Sequence, residues 1–148
     1  MGMTALHRAV QNAQVELATK LLEDGADPNA TDFDRVEPLH LAAQEGSTEL
    51  VQALLRHGAD VNAVGFRHNE TPLHIAALYG HDDVAAVLLE HGADPSARNM
   101  LKKTALDFAV EGDHHDVAAL LRAGAEQIEN SPSDASDSTN ETDRLTAP

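Results

Sequence analysis

Thr71-Pro72-Leu73-His74-Ile75-Ala76-Ala77 decides the fold, because the chain returns to this phrase again and again. Its first four residues answer to Thr4-Ala5-Leu6-His7 and Glu37-Pro38-Leu39-His40 upstream, and to Thr104-Ala105-Leu106-Asp107 downstream, at offsets of 33, 34 and 33 residues. A second phrase keeps the same period: Gly25-Ala26-Asp27-Pro28-Asn29-Ala30, Gly58-Ala59-Asp60-Val61-Asn62-Ala63 and Gly92-Ala93-Asp94-Pro95-Ser96-Ala97, with Gly124-Ala125-Glu126 as a worn last copy. Two phrases in one register mean that one supersecondary unit is repeated along the chain.

Each phrase has a physical reading. Thr71 caps a helix through its hydroxyl, and Pro72 suits the first helical position because no amide donor is needed there. Leu73 and Ala76 share a face, and the Ala76-Ala77 pair lets a second helix approach closely. After a break at Gly80-His81, Val84, Leu88 and Leu89 form an apolar stripe that Gly92 ends. Neither short helix is stable alone, so neighbouring units must bury the stripes. Two core columns follow from the alignment: Leu17, Leu50, Val84 and Val117, then Leu21, Leu54, Leu88 and Leu121.

The period and the Thr-Pro-Leu-His-x-Ala phrase resemble the ankyrin repeat, over residues 4–126. The resemblance implies an all-α repeat solenoid of four ankyrin repeats, each a helix-turn-helix plus a β-turn finger. The expected domain is 1–126, divided at about 1–31, 32–64, 65–98 and 99–126. Three departures stand out. Glu37 replaces the capping Thr, a poorer cap by about 1 kcal/mol. The connector 64–70 carries one extra residue. The last repeat is one residue short between Val117 and Gly124, and Arg122 replaces a stripe leucine, as suits a solvent-facing terminal repeat.

From Gln127 the period stops. Residues 127–148 hold Glu129, Asp134, Asp137, Glu141 and Asp143 against Arg144, with almost no large apolar side chains. Such a stretch buries too little surface to offset its ordering entropy, so a disordered acidic tail is expected.

Charge and composition bound the function. The net charge of −15 repels nucleic-acid phosphates and anionic membranes. The absence of cysteine excludes disulfides, thiolate metal sites and cysteine nucleophiles, and fits a reducing compartment. No leader or membrane span is visible. The expectation is a cytoplasmic protein, nuclear also if the host is eukaryotic, and monomeric.

Nine histidines invite a metal or acid–base reading. His7, His40 and His74 share one column, but stacked repeats are about 8–10 Å apart, too far for neighbours to hold one zinc ion. The resemblance gives these three a structural hydrogen-bonding role and puts the bond in doubt at Asp107. His57 and His91 form a second column near the ends of second helices. His114-His115-Asp116 is the one dense cluster, though adjacent helical residues point about 100° apart and seldom chelate together. No phosphate loop, nucleophile elbow or zinc-protease phrase is present. Asp32 with Asp34 reads as turn chemistry, and Asp82-Asp83 as first-turn charge at a helix dipole. The expectation is a protein that is not an enzyme and has no catalytic residue, metal or cofactor.

In the ankyrin family partners lie across the fingertips and the exposed side of the first helices. Carried onto this chain, that implies Phe33, Asp34 and Val36; Phe66, Arg67 and His68; and Met100, Leu101 and Lys103 at the fingertips. The first helices add Gln44, Glu45, Leu78, Tyr79 and Glu111. Phe33, Phe66 and Tyr79 are three of only four Phe and Tyr residues, and aromatics carry binding energy at interface centres. The expected function is a non-catalytic adaptor, scaffold or inhibitor that binds a protein or peptide with basic and apolar patches. The alternative is a metal- or pH-responsive regulator using surface histidines.

Overall fold

The structure, a computed structural model, describes residues 2–129, with side chains described as far as residue 124. Eight helices follow in pairs among the described residues: α1 (Ala5–Gln11) and α2 (Val15–Glu23), α3 (Pro38–Glu45) and α4 (Thr48–Arg56), α5 (Pro72–Tyr79) and α6 (Asp82–Glu90), α7 (Ala105–Glu111) and α8 (His115–Glu129). Each pair is a hairpin. The first helices pack in the order α1, α3, α5, α7 and the second helices in the order α2, α4, α6, α8, giving two layers of a right-through stack.

Side-chain size explains the layering. Ala42, Ala43, Ala76 and Ala77 are buried, so first helices approach their neighbours almost backbone to backbone. Leu50, Leu54, Val84, Leu88, Val117 and Leu121 fill the space between layers, as expected from the columns. Leu17 departs from its column, with 45% exposure. It lies on α2, the first of the second-layer helices among the described residues, whereas α4, which carries Leu50, packs between α2 and α6.

The histidine column ties the repeats together. His7, His40 and His74 each accept through Nδ1 from the amide of the capping residue three positions earlier, at 3.1 Å in all three. A backbone amide can only donate, so Nδ1 is bare and Nε2 carries the proton. Nε2 then donates to a carbonyl in the next repeat: Val36 at 2.8 Å, Glu70 at 2.9 Å and Lys103 at 2.9 Å. Asp107 keeps half of this arrangement. Its Oδ2 accepts from the Thr104 amide at 2.9 Å, and among the described residues it makes no bond to a further repeat.

Asparagines form a parallel ladder at the other end of each unit. Asn29 bridges to the Gly58 carbonyl (3.0 Å) and the Asp60 amide (2.8 Å), and Asn62 to the Gly92 carbonyl (3.3 Å) and the Asp94 amide (2.9 Å). Ser96 is too short to continue it and turns back to Asp94.

The end of the last repeat differs from the sequence expectation. Gly124 does not stop α8, which runs through to Glu129. No finger phrase follows this glycine, so nothing draws the chain into the left-handed turn that Gly58 and Gly92 adopt. The helix therefore runs three residues past 126, and the rest of the expected tail, residues 130–148, lies outside the described residues.

Candidate functional site

The three fingers close in two ways. In the first, Asp32 Oδ1 accepts from the amides of Asp34 (2.8 Å) and Val36 (2.9 Å). In the third, Asn99 Oδ1 accepts from those of Leu101 (2.9 Å) and Lys103 (3.0 Å). Such side-chain-to-backbone turns need only a short acceptor at the right place. The second finger has Gly65 there and one residue more. It closes by an antiparallel bridge between Gly65 and Glu70 instead.

That extra residue re-aims a ring. Arg35, Asn69 and Lys102 occupy one finger position and all have positive φ, as the turn demands. Phe66, at φ 64°, has no counterpart. A non-glycine residue in this region costs about 1–2 kcal/mol. The half-buried ring has two neighbours: it stacks on His40 with centroids 6.1 Å apart, and the Arg67 guanidinium lies 5.2 Å from its centre.

The first two fingers meet because Gly65 has no side chain. A Cβ there would lie 1.9 Å from the Arg35 carbonyl oxygen. Arg35 also reaches across to the Asn69 carboxamide oxygen. Between the fingers opens a groove of about 450 Å³, lined by Phe33, Asp34, Arg35, Val36, Phe66 and Arg67. Phe33 is 82% exposed at its rim, and Val36, at 7%, forms part of its wall. The third finger joins the row through a Met100 amide bond to the His68 carbonyl at 2.8 Å.

Five of the residues expected at the partner-binding face thus come together: Phe33, Asp34, Val36, Phe66 and Arg67. His68 is exposed next to them, 3.7 Å from the buried Glu70 carboxylate. Met100 and Leu101 are exposed on the third finger, while Lys103 pairs with Glu111 at 2.8 Å. Gln44, Glu45, Leu78 and Tyr79 lie along the ends of α3 and α5, outside the groove. Tyr79 is 38% exposed and stacks on His81. Arg35 is the lining residue that sequence reading passed over, although it lies between two residues it had named.

A further column was also missed. His81 and His114 donate from Nε2 toward the Gln44 and Leu78 carbonyls at 3.0 and 3.1 Å, closing the ends of first helices in the preceding repeats. Their spacing of 33 residues was the available signal. His57 and His91 bond back to the Ala53 and Val87 carbonyls, both at 2.9 Å. Among the described residues no group of three or more His, Cys, Asp or Glu is arranged to hold a metal ion.

Burial shifts three groups. His40 and His74 are lowered from 6.5, chiefly because burial disfavours the imidazolium, although neighbouring carbonyls and acids oppose it. Glu37 is pushed up to about 7 by burial and by the charges of Asp60 and Asp27.

Stacked helical hairpins with a continuous row of loops along one edge define a helical repeat solenoid. The family model for ankyrin repeats (3 copies) matches residues 6–99. The chain belongs to the ankyrin repeat family, whose members are generally protein–protein interaction modules. The fourth hairpin, α7 and α8, lies beyond the matched segment and continues the stack, α7 on α5 and α8 on α6. No curated protein matches the chain. No helix among the described residues is long and apolar enough to cross a membrane.

Proposed function

We propose that the chain is a non-catalytic binding module, an adaptor, scaffold or inhibitor, that holds a protein partner on its fingertips and on the exposed side of its first helices. The observation that carries this reading is the groove between the first two fingers, walled by Phe33 and Phe66. Aromatic rings are poor in this chain and rich at interface centres, and here two of them frame one opening. The histidines do not favour the regulator reading, since most of their rings are committed to backbone carbonyls within the stack. Within the same proposal the module works as a monomer in the cytoplasm, in keeping with a cysteine-free composition.

Cross-linking capture with the full chain tests this. A partner recovered by the native protein is expected to be lost by a Phe33→Ala, Tyr79→Ala double variant whose helical circular dichroism is unchanged. Both side chains are exposed enough to remove without opening the core. Undiminished recovery would count against the face.

A further inference from the structure

The mixture of acids and aromatics along the expected binding face pointed to a partner with basic and apolar patches. The groove itself has the opposite local sign. Two guanidiniums, Arg35 and Arg67, line it against the single carboxylate of Asp34. Neither arginine is in a salt bridge among the described residues, although the chain holds 25 acids to 10 Lys and Arg. Arg35 is bonded instead to a neutral carboxamide, that of Asn69, and Arg67 lies over the Phe66 ring. Both guanidiniums are therefore held in place without an ion-pair partner among the described residues.

The apolar half of the groove is fixed as well. Phe66 packs against His40 and Arg67, so it gives up little side-chain freedom on binding. Phe33 stands across from it with 82% of its surface in water, which a partner can cover. A volume of about 450 Å³ falls within the range of small-ligand sites and admits an apolar side chain with its neighbours.

We propose that the groove takes an acidic peptide segment, which places an apolar or aromatic side chain between Phe33 and Phe66 and a neighbouring carboxylate against Arg35 and Arg67. The inference rests on the protein-binding reading and names its chemistry. Guanidinium and carboxylate match as planar, fork-shaped groups, and rings beside them exclude water from the pair. The long-range field of the acidic chain slows the approach of such a partner but is largely screened beyond about 8 Å at physiological ionic strength. The short-range pairing decides the bound state.

The test uses the full chain and fluorescence anisotropy of a labelled short peptide with one phenylalanine flanked by aspartates and glutamates. A matched peptide with lysines in place of the acids is the control. The acidic peptide is expected to bind, and Arg67→Glu or Phe33→Ala to weaken it by about tenfold or more, the loss of one good anchor. Circular dichroism confirms that both variants stay folded. Equal or tighter binding of the lysine peptide overturns the proposal, as does indifference to both substitutions. A synthetic peptide of residues 130–148 is added as competitor. If it occupies the groove more tightly than the phenylalanine peptide, the site belongs to the chain's own acidic end and the proposal of a separate partner fails. The two readings fail separately. A cross-linked partner lost with Phe33→Ala and Tyr79→Ala but kept with Arg67→Glu leaves protein binding standing and removes the acidic choice; a partner kept by all of them removes both.

Discussion

His40 Nε2 lies 2.9 Å from the carbonyl oxygen of Glu70, a bond that joins the second repeat to the finger of the third. Because its other nitrogen is occupied by the Glu37 amide, this ring is a rigid two-ended strut rather than a free base. It also backs the Phe66 ring, so the strut that holds the stack holds one wall of the groove. Four expectations follow from such couplings.

Removing the strut orphans the half-buried Glu37 amide and takes from the Glu70 carbonyl one of its two donors, leaving it the Gly65 amide at 3.1 Å. His40→Ala should cost about 2–3 kcal/mol, at the upper end of penalties for unsatisfied buried groups, with a cavity added. Urea unfolding is the measurement, read as a lower midpoint. A change within about 0.5 kcal/mol, the usual range of surface substitutions, would show that the bond contributes little.

Burial of His40 and His74 makes the stack acid-sensitive. Their folded pKa values lie below 6.5, so below that pH the unfolded chain binds more protons than the folded one. Stability from these residues is complete above 6.5 and is lost as pH falls from there toward the folded values. Protonation would also place an Nδ1–H against the capping amide, donor facing donor. Nitrogen NMR should show the Nε2–H tautomer at neutral pH and rings still neutral below 6.5. Titration of both at the ordinary histidine value would refute this.

Glu37 works in the other direction. Its folded pKa of about 7 exceeds the ordinary 4.5, so its contribution is present below 4.5 and is lost as pH rises through 7. Burial is the main cause, with Asp60 and Asp27 repelling the charge. Glu37→Gln keeps the shape and removes the titration. The variant's stability advantage over the native protein should grow between pH 4.5 and 7 and then level off. In that background the histidine dependence can be read alone. A difference that does not vary with pH would contradict the assignment.

Gly65 sets the approach of the first two fingers. Gly65→Ala would bring a Cβ within 1.9 Å of the Arg35 carbonyl oxygen, which belongs to backbone and cannot rotate away. The fingers must part, at a cost of about 1–3 kcal/mol as for overpacking elsewhere. Thermal unfolding should show a lower midpoint, and the acidic peptide of the binding assay should lose its groove even though no lining residue has changed. Unaltered binding would mean that the groove does not depend on this contact.

Much of the fold was legible because repetition supplies its own alignment. Leu50, Leu54, Val84 and Leu88 could be placed in the core from spacing alone, since every middle repeat has a neighbour on each side. The same reasoning failed at the ends. Leu17 occupies a core column but meets solvent, and Gly124 occupies a terminating position but lies inside a helix, because a pattern records what a residue is and not what lies next to it.

By itself the sequence determined the unit, its period, the capping and column histidines, and the fingers as the place where aromatics gather. These follow from contacts made within one repeat or copied from one repeat to the next. Only the tertiary structure decided that Phe33, Arg35, Phe66 and Arg67 share a groove, that its local charge opposes that of the whole chain, and that Tyr79 lies outside it. The reason is physical: one inserted residue turns Phe66 into the left-handed region, and one missing Cβ at Gly65 lets two fingers touch, so the groove arises between repeats at a point where they are not alike.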